Sequence, residues 1–352
     1  MNAVDIHTHI LPPEWPDLAE RFGEGKWLSM QRNHSEDGMC CGATLYCQGK
    51  HFRDVESSCF DHAIRLEDMD RTRVRLQVLS TVPVMFSYWA NPHHTEELAR
   101  ILNDHIASVC REHPGRFVGL GTLPMQCPKA AVRELERCVN GLGMPGVQIG
   151  SHIDRGDAPD WNLSEPEVFA VFEAAQDLGA CVFVHPWDMM GSDQMTKYWL
   201  PWLVGMPAET SRAICSVLFA GVLERLPRLR IGFAHGGGAF PGTIGRIEHG
   251  FRARPDLCAI DNPVSPRSYL ATDSSPARFF VDSLVHDEAA LLRLLELFGG
   301  HRVMLGSDYP FPLGEAEPGS LIRSIPSLST ETRDRLLFRT ALEFLGLSDL
   351  PA

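Results

Sequence analysis

The segment Asp5-Ile6-His7-Thr8-His9 ends the first β-rich run of the chain, residues 3–7. Residues two apart in an extended strand point to the same side, so His7 and His9 can both face one metal ion. A histidine pair alone is a weak signal, because pairs of exposed histidines are common. Whether this pair marks a metal site depends on how the rest of the chain is organised.

Seven further β-rich runs follow, and segments with helical periodicity separate most of them. The β-rich runs are 75–81, 117–123, 146–150, 181–185, 230–234, 279–285 and 302–307. The helical segments include 95–112, 129–142, 165–178, 208–226 and 286–298. Eight strands alternating with helices predict an α/β fold with a parallel sheet, most simply a closed (β/α)₈ TIM barrel. The alternative is an open doubly wound sheet, but no glycine-rich phosphate turn follows the first strand.

The rest of the chain suggests one barrel domain over residues 1–352 with two additions. Residues 11–60 contain proline, glycine and two tryptophans with little period, and we interpret them as an insertion that forms a small flap over the barrel mouth. Residues 330–347 predict a C-terminal helix that packs on the outside of the barrel.

Composition limits the classes of function. The 352 residues are 44% hydrophobic and carry a formal net charge of −13, which argues against a nucleic-acid partner. None of the ten cysteines forms a CxxC pair, so a zinc ribbon is not expected. No signal-peptide core or membrane-spanning apolar run occurs, and we expect a reduced, cytosolic protein.

Polar residues follow three more of the predicted strands. Function in such barrels lies at the carboxyl ends of the strands. There the chain has His185, His235 and Asp308, each directly after an apolar run. Together with the first pair they match the histidine and carboxylate ligands of catalytic zinc sites. Taken singly, His185 could be a core histidine and Asp308 a helix N-cap.

His235 is the candidate general acid or base, because a histidine beside a metal site can accept a proton and return it. The alternative is that His235 is a further metal ligand. Two arginines, Arg53 and Arg246, are candidates for holding a carboxylate, although their spacing alone favours ordinary surface arginines. A cluster of aromatic residues could form an apolar wall or belong to the core: Trp187, Trp199, Trp202 and Phe311.

Four motifs together resemble the decarboxylase branch of the amidohydrolase superfamily, over about residues 3–347. They are His7-Thr8-His9, His185-Pro186-Trp187-Asp188-Met189, His235-Gly236-Gly237-Gly238 and the segment 306–314, GSDYPFPLG. The resemblance implies a metal-dependent carboxy-lyase that acts on a small dicarboxylate of tryptophan (kynurenine) catabolism. The run 146–150 lacks the lysine that binuclear members of this barrel class commonly use, which favours one Zn²⁺ per subunit.

The resemblance also implies roles for individual residues. The zinc ligands are expected to be His7, His9, His185 and Asp308. His235 takes the position of the catalytic histidine, and Asp308 could help to transfer the proton. Arg53 takes the position of an arginine that holds a substrate carboxylate, and Arg246 that of an arginine from the neighbouring subunit of a homodimer. The substrate pocket is expected to be lined by Trp187, Trp202 and Phe311.

Two rival functions remain. A hydrolase of a lactone or an amide on the same barrel would keep the metal ligands without needing two carboxylate-binding arginines. A catalytically silent barrel that serves as a scaffold would be expected to lack a ligand or His235, and this chain retains all of them.

Overall fold

The computed structural model describes residues 3–35 and 40–351. Its central feature is an eight-stranded parallel sheet in which each of the eight predicted runs supplies one strand. In sheet order the strands are β1 Ala3–Ile10, β5 Val74–Thr81, β6 Phe117–Gly121, β7 Gly146–Gly150, β10 Cys181–His185, β11 Arg230–Phe233, β12 Phe280–Asp282 and β13 Val303–Met304.

The first and last strands nearly close this sheet into a barrel. The Ile6 amide donates to the Leu305 carbonyl at 2.9 Å, and Thr8 forms a parallel bridge with Tyr309. The predicted TIM barrel is therefore confirmed. The last two strands are shorter than predicted, because the chain leaves the ladder to present the side chains that follow.

Helices follow the strands as the periodicity predicted. They are α1 Leu18–Phe22, α2 His62–Thr72, α3 Pro92–Glu112, α4 Pro128–Glu136, α5 Pro166–Asp177, α6 Met206–Phe219, α7 Val222–Arg225, α8 Phe240–Ala253, α9 Pro255–Cys258, α10 Glu288–Phe298, α11 Ser320–Ser324, α12 Thr330–Asp334 and α13 Thr340–Leu345. The predicted segment 208–226 divides into α6 and α7 because Gly221 adopts a left-handed conformation with φ of 65°. None of the helices described has the length and apolar character needed to cross a bilayer.

Two small antiparallel sheets accompany the barrel. The insertion contains β2 Leu28–His34, β3 Cys40–Cys47 and β4 Lys50–Val55, and residues of β4 line a cavity at the barrel mouth. The hairpin of β8 His152–Arg155 and β9 Ala158–Asn162 was not predicted. Its strands are too short to show a clear period, and its turn depends on Gly156 with φ of 66°.

The C-terminal helix α13 closes the end of the barrel opposite the site described below. The Phe344 ring lies 5.2 Å from that of Phe280 and 6.3 Å from that of Phe183. Its carbonyl accepts a hydrogen bond from Arg230 Nε, at the start of β11, at 2.7 Å. This helix is thus part of the barrel core, whereas the sequence suggested only packing on the outside.

Candidate active site

Five side chains converge at the carboxyl ends of the strands. Asp308 Oδ1 lies 3.0 Å from His9 Nε2, 3.3 Å from His7 Nε2 and 4.0 Å from His185 Nε2. Asp308 Oδ2 lies 3.8 Å from His235 Nε2. The structure therefore brings together all four predicted metal ligands and the predicted catalytic histidine. We refer to these five residues as the mouth cluster.

Three histidines of the mouth cluster are held through their Nδ1 atoms. His7 Nδ1 lies 2.7 Å from Asp282 Oδ2, His9 Nδ1 lies 3.1 Å from the Thr81 carbonyl, and His185 Nδ1 lies 2.6 Å from the Pro186 carbonyl. A histidine that donates from Nδ1 keeps the lone pair of Nε2 for a metal ion, and such partners fix the ring orientation. The three Nε2 atoms are thus oriented towards one point.

Several buried polar atoms of the cluster lack a hydrogen-bond partner among the residues that the structure describes. They are His185 Nε2, both ring nitrogens of His235 and Asp308 Oδ1. A buried polar atom without a partner is costly, so such groups call for an explanation. A divalent cation would supply the partner, and imidazole nitrogens with one carboxylate oxygen are a donor set that suits it.

The electrostatics of the cluster favour a cation. Burial lowers the pKa of both His9 and His185, which keeps their lone pairs free at neutral pH. Burial also disfavours a charged His7, but the Asp282 and Asp308 carboxylates outweigh it and raise the His7 pKa to about 10. Burial opposes the charge on Asp308 too, yet the nearby imidazoles of His235, His7 and His9 hold its pKa well below the usual value. A divalent ion would take the place of the proton on His7 Nε2, the nitrogen that faces Asp308 Oδ1 at 3.3 Å.

The backbone at two cluster residues adopts the left-handed region, which is unusual for residues other than glycine. The φ angle is 56° at His235 and 59° at Asp308. Hydrogen bonds hold both: the His235 amide donates to Asp282 Oδ2 at 2.9 Å, and the Asp308 amide donates to the His7 carbonyl at 2.9 Å. Gly306 permits the close approach, because a Cβ there would lie 2.9 Å from the Cβ of His7.

Asp282 is the supporting residue that the sequence reasoning missed. It ends β12, and it accepts hydrogen bonds from the amides of His235, Gly236 and Leu284 as well as bonding to His7. It is completely buried. The same argument that selected the polar ends of four other strands, applied to the run 279–285, would have identified it.

Arg65 is a second missed residue, and no local pattern marks it. This fully buried side chain on α2 donates from Nη1 to the His9 carbonyl at 2.7 Å and from Nη2 to Thr8 Oγ1 at 3.1 Å. Its guanidinium also lies 4.8 Å from the Tyr309 ring centroid. Arg65 thus fixes the strand end that carries the histidine pair.

A cavity of about 480 Å³ opens beside the cluster, and His9, His185 and Asp308 form part of its wall. It is also lined by Arg53, Trp187, Trp199, Trp202 and Phe311, among others. His235 lines a neighbouring cavity of about 320 Å³, which meets the first at Trp202 and Asp308. His235 therefore faces the proposed metal site from the second cavity, whereas Arg53, Trp187 and Phe311 line the first.

Arg53 has no carboxylate partner within 4.0 Å in the described part of the chain. Its guanidinium lies 4.9 Å from the Phe311 ring centroid and 5.5 Å from that of Trp202. By contrast, Arg246 is exposed on α8 and is not among the residues that line the cavity of its own chain. Its predicted role in a neighbouring subunit remains a prediction.

The amidohydrolase family profile matches residues 4–347, which is nearly the whole chain. The chain belongs to the amidohydrolase family. The resemblance to the amidohydrolase superfamily that the four motifs indicated is therefore confirmed.

Two curated relatives in the family are similar over almost their entire length. A protein of Dictyostelium discoideum is 55% identical over 344 residues, which cover 98% of this chain and 91% of the relative. A protein of Caenorhabditis elegans is 40% identical, with coverage of 98% and 94%. Both are named 2-amino-3-carboxymuconate-6-semialdehyde decarboxylase.

A solved structure agrees with the fold. The dihydroxybenzoic acid decarboxylase of Polaromonas, crystallised with manganese and 2-nitroresorcinol, superposes with a TM-score of 0.75 at 21% identity. The match covers 99% of this chain and 98% of that one. At this identity the similarity supports the barrel fold of this amidohydrolase.

Proposed function

We propose that this amidohydrolase is a metal-dependent, non-oxidative decarboxylase that converts 2-amino-3-carboxymuconate-6-semialdehyde into 2-aminomuconate semialdehyde and carbon dioxide. The two relatives with that name support the substrate, because their similarity covers nearly all of both chains. In the cell the reaction would belong to tryptophan catabolism in the cytosol, and would limit the spontaneous closure of the substrate to quinolinate.

The observation that carries the proposal is the cavity that connects the mouth cluster to an unpaired guanidinium. A half-buried arginine without a carboxylate partner, such as Arg53, is suited to bind a carboxylate of a ligand through two parallel hydrogen bonds. The substrate has two carboxylates, and Arg53 would hold one of them. A lactone or amide hydrolase would have no such use for Arg53.

The same cavity suits the unsaturated body of the substrate. Its wall includes the rings of Trp187, Trp202 and Phe311, which would pack against a planar conjugated chain. Trp187 is held in place, since its Nε1 donates to the His152 carbonyl at 3.0 Å.

His7, His9, His185 and Asp308 would hold the ion, and Zn²⁺ is the ion that we propose. When bound, such an ion supplies Lewis acidity and lowers the pKa of coordinated water to about 7. One ion per chain agrees with β7, where Gly146–Gly150 contains no lysine.

The reaction replaces one carbon–carbon bond by a carbon–hydrogen bond. The bond to the departing carboxylate breaks, carbon dioxide leaves, and a proton takes its place on the same carbon. His235 would transfer the proton, since its Nε2 lies beside the cavity wall and has no partner among the described residues. Asp308 Oδ2, 3.8 Å away, would share in that transfer.

The decisive experiment incubates the purified protein with 2-amino-3-carboxymuconate-6-semialdehyde and follows both its absorbance and the carbon dioxide released. Treatment with a chelator should abolish turnover, and added Zn²⁺ should restore it. A panel of lactones and amides serves as the comparison. Hydrolysis of one of them, with the carboxymuconate substrate unchanged, would show that the protein is a hydrolase instead.

The proposed homodimer predicts that Arg246 acts in the neighbouring subunit. Arg246→Ala alone and a variant inactive only in its own cluster, such as His235→Ala, should each lose most activity. A 1:1 mixture that exchanges subunits at random should regain about a quarter of the wild-type rate, because half of its dimers are mixed and one of the two sites in each mixed dimer is intact. Activity that stays at the level of the separate variants at every mixing ratio would contradict a shared site.

A further inference from the structure

A second group of metal-binding side chains lies outside the barrel mouth, where α2 begins and α3 ends. His62 is the first residue of α2, Glu112 is the last residue of α3, and His113 follows as its C-cap. One ligand atom from each of the three lies within 4.8 Å of the others. The nearest measured pair is His62 Nε2 and Glu112 Oε2, which are 3.6 Å apart.

The donor atoms and their spacing suit a transition-metal ion. Two imidazoles and a carboxylate are common ligands of Zn²⁺, which binds them at about 2.0–2.1 Å. Around a tetrahedral ion, ligand atoms at that distance lie roughly 3.3 Å from one another. The separation between His62 and Glu112 therefore needs only a small adjustment, and the fourth position would remain for water.

The surroundings of the group orient it. Ser108 Oγ donates to Glu112 Oε1 at 3.0 Å, which leaves Oε2 of the carboxylate towards His62. The rings of His62 and His113 lie 4.8 Å apart between centroids. Glu112 and His113 also lie at the carboxyl end of the 21-residue helix α3, where the helix dipole favours a cation.

An independent observation points to a missing partner. His113 Nε2 is buried and has no hydrogen-bond partner among the described residues. The same is true of His105 Nε2, two turns before Glu112 on α3, on the wall of a cavity of about 380 Å³ that His62 and Glu112 also line. Arg32 lines that cavity too, but its guanidinium donates to the Pro13 carbonyl at 3.0 Å and lies 5.7 Å from the Phe60 ring.

We propose that His62, Glu112 and His113 form a second site for a transition-metal ion such as Zn²⁺, separate from the mouth cluster. The ion links the start of α2 to the end of α3. Because α2 also carries Arg65, which binds the backbone of His9, the ion stabilises the part of the fold that positions the histidine pair. The site is structural, and it does not depend on the decarboxylation proposed above.

The test counts the zinc bound to each chain. Wild-type protein, the double variant His62→Gln/His113→Gln and the single variant Glu112→Gln are stripped with a chelator, saturated with Zn²⁺ and desalted. His301→Gln, at an exposed histidine on another part of the surface, is the matched control. Zinc per chain is measured by atomic emission, and thermal unfolding is measured with and without Zn²⁺.

The wild-type protein and His301→Gln should each retain one more zinc per chain than the other two variants. Zn²⁺ should also raise their unfolding temperature more. If the double variant fails to fold, Glu112→Gln decides the question, because its side chain is exposed and the substitution is isosteric. Equal zinc and equal thermal shifts in all four proteins would overturn the proposal, whatever the decarboxylation assay shows.

Discussion

On one side of the cavity, His7, His9 and His185 each donate from Nδ1 to a fixed acceptor. On the other side, Arg53 contacts the rings of Phe311 and Trp202 and has no carboxylate within 4.0 Å in the described chain. The first arrangement prepares a rigid set of ligands for an ion. The second leaves a charged group ready for a partner that arrives with the substrate. In this cavity the residues proposed for metal binding are therefore distinct from Arg53, which is proposed to bind the substrate.

Substitution of His235 should have the largest effect on catalysis. His235→Ala should lower kcat by about 10²–10⁴-fold, because it removes the proposed proton donor. Metal content should remain unchanged, since the other four cluster residues persist. Steady-state kinetics and atomic emission measure the two quantities. Full activity in this variant would exclude His235 as the acid or base, and loss of metal would make it a ligand instead.

The anchoring of the histidines is tested at Asp282. Asp282→Asn should weaken metal binding by about 10–100-fold, because an amide cannot accept hydrogen bonds on both sides as the carboxylate does. Competition with a chelating dye measures the affinity. Asp287→Asn, at the exposed cap of α10, is the control and should bind metal as wild-type protein does. Unchanged affinity in Asp282→Asn would mean that the ring of His7 is fixed by packing alone.

The proposed binding of a substrate carboxylate is tested at Arg53. Arg53→Lys should raise KM and lower kcat/KM by about 10–100-fold, since a lysine keeps the charge but loses the paired hydrogen bonds to a carboxylate. Metal affinity should not change. Lys50→Ala, at the exposed start of the same strand, controls for damage to the sheet. If Arg53→Lys instead lowered metal affinity with KM unaltered, the two sides of the cavity would not be separate.

The smallest expected effect concerns Glu315 and the pH dependence of the stability of the folded protein. Burial, together with the nearby charges of Asp5 and Asp282, raises the pKa of Glu315 to about 7. An acid with a raised pKa in the folded state is penalised when ionised, so its contribution to stability falls as pH rises from about 4.5 to above 7. The full penalty is about 3 kcal/mol at most.

Glu315→Gln removes that penalty and keeps an oxygen for the amide of Gly319, which donates to Glu315 Oε2 at 2.8 Å. Its unfolding temperature should exceed that of wild-type protein by a few degrees, about 2–5 °C, at pH 8. At pH 5 the two should differ little. Calorimetry across this range measures the difference, and a gain that is larger at pH 5 than at pH 8 would contradict the assignment.

The sequence by itself determined the barrel and the identity of the mouth cluster. Apolar runs of strand length with polar ends predict both, because parallel strands in a barrel end at one mouth. Asp282 obeys the same rule and could have been found, whereas Arg65 and the hairpin of β8 and β9 carry no local signal. Motif resemblance, rather than spacing, selected Arg53 and Arg246.

Only the tertiary structure decided how these residues are supported and what is left unpaired. The acceptors of the Nδ1 atoms belong to strands or loops distant in sequence for His7 and His9, and the aromatic rings beside Arg53 come from residues 202 and 311. Hydrogen-bond satisfaction and burial depend on distances in space, which a linear pattern does not encode. The same reason explains why His62, Glu112 and His113 formed a group only once the fold brought the start of α2 to the end of α3.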